Sequence, residues 1–185
     1  MNKLPIYDAI FEADSEILNI SLVDEPAVEL DYLKFNKDGL WSFSKDDKMI
    51  LTGCAMLADT PLYRYSKSKG EYYVRFGKET LKNLVGRYLN SQRDNFNLQH
   101  SEVKISDAIL LESYFIDKER GLCPKEFLNV TDGSWFVTIQ ITDRDVWNRL
   151  KADKKLNGFS IEVIADLEVC KDETVDSFLK NVIGC

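Results

Sequence analysis

Six short runs rich in β-branched and aromatic residues fill the first 76 positions, and too little chain separates them for helical crossovers. They are 4–11 (LPIYDAIF), 16–23 (EILNISLV), 28–35 (VELDYLKF), 48–58 (KMILTGCAMLA), 61–66 (PLYRYS) and 71–76 (EYYVRF), with turns marked by Asp38-Gly39 and Lys69-Gly70. Parallel neighbours need long connections, so this spacing predicts antiparallel hairpins.

The period changes after Gly77. Leu81, Leu84, Val85, Tyr88 and Leu89 recur at i, i+3, i+4, i+7 and i+8, which predicts a helix over 78–92 with one apolar stripe. Strands are expected at 105–116, 134–141 and 159–169. Between the last two, Thr142 with Asp145 resembles a capping box, and Val146, Trp147 and Leu150 supply the buried face of a second helix. Asn157-Gly158 turns the chain into the strand 159–169, and Asp172 is placed to cap a last helix carrying Val175, Phe178, Leu179 and Val182. The 185 residues hold one sizeable core and show no linker, repeat or low-complexity tract. A single domain, 1–185, of α+β class is expected, mainly antiparallel β-sheet or a small β-barrel flanked by about three helices.

Composition narrows the chemistry. Lys+Arg number 24 against 31 Asp+Glu, a net charge of −7 that lacks the basic footprint of a nucleic-acid binder. The chain has one histidine, so sites built from two imidazoles, including two-histidine zinc centres, are excluded. Cys54, Cys123, Cys170 and Cys185 are scattered without a C-x-x-C pair and read as reduced thiols of an intracellular protein. No apolar run approaches the roughly 18 residues that span a bilayer, and neither a signal peptide nor a membrane anchor is expected. No metal or cofactor is expected.

Three features can carry chemistry. His100, in Asn97-Leu98-Gln99-His100-Ser101-Glu102, lies where a polar loop meets a long strand, and imidazole is the side chain best suited to proton transfer near neutrality. Its alternative is a histidine that merely hydrogen-bonds its own loop. Ser160, in Gly158-Phe159-Ser160-Ile161-Glu162, heads an apolar strand just after a turn, and period two places it on one face with Glu162. This is not the Gly-x-Ser-x-Gly elbow, because residue 162 is Glu. A serine on a solvent-facing strand edge accounts for it equally well. Third, Leu110, Glu112 and Tyr114 alternate with Leu111, Ser113 and Phe115, so one polar neighbour is expected to point inward, where a carboxylate needs a partner such as an imidazole. A sheet with one wet face is the alternative. Cys123, before Pro124 in a charged loop, is a further nucleophile candidate without an activating neighbour, and Cys54 in its apolar strand looks structural.

Taken in order, several segments resemble the prohead maturation proteases of tailed phages, in particular the phage serine proteases encoded in capsid gene clusters. They are Leu98-Gln99-His100, Glu112-Ser113-Tyr114, Gly133-Ser134-Trp135-Phe136-Val137, Asp145-Val146-Trp147 and Gly158-Phe159-Ser160-Ile161. Ile20-Ser21-Leu22-Val23-Asp24-Glu25-Pro26-Ala27 and Tyr72-Tyr73-Val74-Arg75-Phe76 are similar to the same branch, so the resemblance runs from about residue 17 to about 165.

The resemblance implies a fold like that of the herpesvirus assemblin proteases. It implies a serine endopeptidase that cleaves scaffold and capsid-protein extensions within the procapsid, in the cytoplasm of a bacterial host. By position Ser160 matches the nucleophile and His100 the general base. Assemblins orient the base with a second histidine, which this chain lacks, so a carboxylate is expected, Glu112 first, with Glu162 and Asp24 as alternatives. The partners implied are scaffold and major capsid proteins as substrates and a second copy in a homodimer, with neither nucleic acid nor membrane. A non-catalytic capsid-assembly or scaffold-binding module of the same fold is the competing expectation. In other phage branches a strand like Leu18 to Val23 follows the nucleophile strand and carries a glutamate; here it is N-terminal with Asn19, which implies a permuted arrangement.

Overall fold

The computed structural model describes residues 4–23, 41–43, 48–91, 95–102, 104–105, 107–153, 156 and 158–174, with the side chains of 41–43, 126 and 171–174 outside the description. The strand expected at 28–35, Asp24, the Asp38-Gly39 turn and Val175 to Val182 lie outside these residues. Eleven strands and two helices are described: β1 (Pro5–Ile10), β2 (Glu16–Val23), β3 (Trp41–Phe43), β4 (Ile50–Met56), β5 (Leu62–Ser66), β6 (Gly70–Arg75), α1 (Lys78–Asn90), β7 (Phe96–Leu98), β8 (Ala108–Phe115), β9 (Trp135–Ile141), α2 (Arg144–Ala152), β10 (Gly158–Ile164) and β11 (Asp166–Thr174). The class is α+β and mostly β, as the sequence implies.

The strands form three sheets, ordered β11-β1-β6-β5, β10-β2-β7 and β3-β4-β9-β8, and no barrel among the described residues. The barrel alternative is therefore corrected, and part of the reason is local. The run expected as one strand over 159–169 breaks at Ala165, so that β10 pairs with β2 and β11 with β1 in a different sheet. Most pairs are antiparallel, but β1–β6 and β2–β7 are parallel, joining strands far enough apart in sequence for the chain to return. Asp172 falls within β11 and caps no helix. Thr142 is not the cap of α2 either; its hydroxyl donates to the Asp107 carbonyl, while the Asp143 carboxylate accepts from the Val146 amide at 2.8 Å.

Two bulges decide which side chains face inward. On β2, Leu18 is the extra residue between the Ile17↔Val163 and Asn19↔Glu162 pairs. Ile17 and Ile20 can therefore both enter the core, while Asn19 and Ser21 share the other face. On β8, Leu111 is extra between Leu110↔Ile139 and Glu112↔Thr138, so Leu110 parts from Glu112 and Tyr114, against the strict alternation expected there.

The core gathers around Trp135, Trp147, Tyr88, Phe96, Phe136 and Phe159, all fully buried. Leu81, Leu84, Val85 and Tyr88 turn the stripe of α1 into it, each worth about 1.5–3 kcal/mol of burial, with Tyr88 edge-on to Trp135 at 6.0 Å. Four of the five residues of that stripe are thus used within the chain, while Leu89 is exposed. Arg87, flanking that stripe, donates to the carbonyls of Glu12, Ala13 and Ser15 and lies over the Phe11 ring, tying the turn before β2 to the helix. Among the described residues no helix is long and apolar enough to cross a membrane.

Candidate active site

The face of the β10-β2-β7 sheet opposite the core carries a row of polar residues. Ser160 on β10 pairs in register with Ser21 on β2, and Ser21 with Asn97 on β7. One step along, Glu162 pairs with Asn19. The neighbours Phe159, Ile161, Ile20, Leu22 and Phe96 are all buried in the core, which explains how alternating strands hold this row flat against the sheet. Ser21 is 0%, Asn97 4% and Ser160 5% exposed, so these hydroxyl and amide groups need partners in place.

They have them. The Ser21 hydroxyl donates to Asn97 Oδ1, and Ser21 Oγ stands 2.9 Å from His100 Nδ1. The same Nδ1 is 3.1 Å from Glu162 Oε1, and the other carboxylate oxygen accepts from Asn19 Nδ2. A carboxylate beside Nδ1 places the ring proton there, and Ser21, its own proton committed to Asn97, accepts from the same N–H. In the neutral ring Nε2 is left as the acceptor. His100 sits in the turn directly after β7, and both Gln99 and His100 have positive φ, 54° and 52°, a conformation uncommon for such side chains and found where structure holds a group in place. The ring is partly open to solvent, 39% exposed at the side chain, against 29% for Glu162.

The expected residues are therefore brought together in part. His100 and Glu162 meet. Ser160 lies beside them on the sheet, its Cβ about 5 Å from that of Ser21 by the spacing of directly opposed strand residues. Among the described residues, no hydrogen bond joins Ser160 to His100; the serine that touches the imidazole is Ser21. Glu112 is elsewhere: it is exposed on β8 in another sheet, where it accepts from Thr138 Oγ1, which is in turn 3.1 Å from Thr52 Oγ1. The bulge at Leu111 and solvent exposure remove its need for an imidazole, and the carboxylate that meets His100 is Glu162. Asp24 lies outside the described residues.

Glu112 lines a groove of about 660 Å³ with Leu111, Tyr114, Leu122 and Cys123. Burial, followed by the charge of Glu112 and the nearby Cys123 and Cys54 thiols, pushes the Tyr114 phenol up to about 12. Cys54 is buried, and that burial drives its thiol far above the ordinary range, so it is inert as a nucleophile. Cys123 is half-buried, its thiol directed at the carbonyls of Pro124 and Phe127.

Ser21, Asn97 and Asn19 were not singled out for chemistry by sequence alone. The signal was present in EILNISLV, where Asn19 and Ser21 alternate with Ile20 and Leu22, but their partners are 76 and 143 residues away. No family model, curated protein or solved structure matches this chain.

Proposed function

We propose that this protein is a serine endopeptidase of the phage prohead maturation type, with a herpesvirus-protease-like fold, cleaving scaffold and capsid-protein extensions inside the procapsid in the bacterial cytoplasm. Ser160 is the nucleophile, His100 the general base, and Glu162, in place of Glu112, orients the imidazole. The observation that carries the reading is the His100 ring held through Nδ1 by Glu162 and Ser21, beside a serine on the adjoining strand. Nε2 takes the Ser160 proton as the hydroxyl attacks the scissile carbonyl and returns it to the leaving amine. Glu162 keeps the tautomer and stabilises the imidazolium formed on the way. The pairing of β2 with β10 also supports the reading, since it sets the N-terminal LNISLV strand beside the nucleophile strand, as a permuted arrangement requires. No metal or cofactor enters this chemistry. Scaffold and major capsid protein are the substrates, and a second copy completes a homodimer.

The test is co-expression with a scaffold and capsid protein from the same kind of gene cluster, alongside labelling by a fluorophosphonate serine probe. Processing that is lost in Ser160→Ala and labelling that maps to Ser160 sustain the assignment; unimpaired processing by that variant removes Ser160 from the mechanism. One observation favours a second reading, a non-catalytic capsid-assembly module that binds scaffold: the histidine's hydroxyl partner is Ser21 rather than Ser160. That reading expects scaffold binding that survives Ser160→Ala together with no processing by the parent chain.

A further inference from the structure

On the other face of β10, a half-enclosed cavity of about 180 Å³ lies between that strand and the β5–β6 hairpin. Met56, Val74, Phe76, Ile161 and Val163 give it apolar walls beside Tyr72, and among the described residues that line it the cation is Arg64, from β5. Arg64 is half-buried, opposite Tyr72 in the hairpin register. Its Nη1 donates to the carbonyl of its neighbour Tyr63 at 2.8 Å, and among the described residues no carboxylate pairs with the guanidinium. Partial burial lowers its affinity for its proton relative to an ordinary arginine, offset in part by Tyr72 opposite. Elsewhere in the same sheet the contrast is plain, since Arg75 meets Asp8 through two hydrogen bonds, at 2.7 and 3.1 Å.

A guanidinium in apolar surroundings is best completed by a planar anion that accepts two of its N–H groups. The volume corresponds to about six water molecules, room for a short aliphatic chain and too small for a folded ligand. We propose that this cavity binds a small carboxylate with an apolar tail, its carboxylate on Arg64 and its tail against Val74, Ile161 and Val163. Two sources share that chemistry, a free aliphatic acid and the C-terminal apolar residue of a peptide. The site stands on its own observations and is independent of the proposed protease activity.

The experiment is a titration of the isotope-labelled protein with sodium hexanoate, read by the methyl resonances of Met56, Val74, Ile161 and Val163. Saturable shifts centred on those methyls are expected, with hexanamide, the neutral analogue, binding about tenfold or more weaker, the size of one charge-assisted contact. Arg64→Met should weaken hexanoate by about the same factor and leave hexanamide unchanged. Absence of saturable shifts, shifts centred elsewhere, or equal binding of hexanoate and hexanamide by the parent protein overturns the proposal, and none of these depends on the variant folding. Equal hexanoate affinity in a folded Arg64→Met overturns it as well. Displacement of hexanoate by a peptide ending in leucine, but not by its C-terminal amide, assigns the site to a chain terminus; displacement by neither leaves the free acid as the ligand.

Discussion

On the β10-β2-β7 sheet, Glu162 engages both carboxylate oxygens, one with Asn19 and one with His100, and the imidazole also meets Ser21. In the β8 groove, Glu112 meets Thr138, which meets Thr52, and Tyr114 and Cys123 stand nearby. Both places combine a carboxylate with hydroxyl groups, and the groove has a volume of about 660 Å³. The difference lies in what the carboxylate orients. Glu162 meets an imidazole, whereas the groove contains none, because His100 is the chain's single histidine. Its phenol and the buried Cys54 thiol are shifted toward their protonated forms, away from nucleophilic use. Proton chemistry therefore points to the β10-β2-β7 sheet rather than to the groove.

The sharpest way to break this contrast is to remove the reacting groups. Ser160→Ala and His100→Ala should each lower processing of a co-expressed capsid substrate by about 10³-fold or more, and the double variant should be no worse, because members of one catalytic unit are not additive. If Ser21→Ala abolishes processing while Ser160→Ala does not, the nucleophile belongs on β2. Exchanging the carboxylates comes next. Glu162→Gln should cost about 10²- to 10⁴-fold in kcat by releasing the tautomer, with little change in KM. Glu112→Gln should stay within about twofold, as expected of an exposed carboxylate whose partner is a threonine. The reverse ranking would move the orienting role to the groove.

Stability should separate the two regions too, by smaller amounts. Asn97→Ala leaves the buried Ser21 hydroxyl without its acceptor and should cost about 1–3 kcal/mol in denaturant unfolding. Thr138→Val should cost about 1 kcal/mol or less, because the exposed Glu112 can turn to water for a replacement partner. Equal losses would mean that the groove network is as desolvated as the serine row.

Much of this architecture is legible in the pattern of residues. The run 16–23 coincides with β2, and the stripe from Leu81 to Tyr88 is buried where its spacing puts it. Strand β7 is not legible in the sequence because three residues, Phe96 to Leu98, are too few to show alternation, yet that strand carries Asn97 and sets up the turn bearing His100. That Glu162 and not Glu112 meets His100 is hidden from the sequence for a different reason. Sequence distance favoured the carboxylate on the strand that follows His100, but the structure brings β7 beside β2 and β2 beside β10, a pairing that local periodicity does not encode. The bulge at Leu111 then reversed the facing of Glu112 relative to Leu110, which strict period-two counting has no means of showing. Ser160 and Glu162 sharing a face was readable because no bulge interrupts β10 between them.

The finest test concerns Tyr114, where burial and the charge of Glu112 act in the same direction, burial being the larger. The phenol is raised from 10.0 to about 12, so the folded chain holds its proton more tightly than the unfolded one does. The linked stability is fully present below pH 10 and is lost as pH climbs from there toward 12. Glu112→Gln removes only the charge. In an ultraviolet titration Tyr114 should then ionise at lower pH than in the parent protein, yet still above 10.0, and the variant should lose less stability across that window. Ionisation unchanged by the substitution would show that Glu112 does not act on the phenol. A return all the way to 10.0 would make charge rather than burial the main cause, and the groove would then be wetter than the packing of Tyr114 against Phe136, at 5.8 Å, allows.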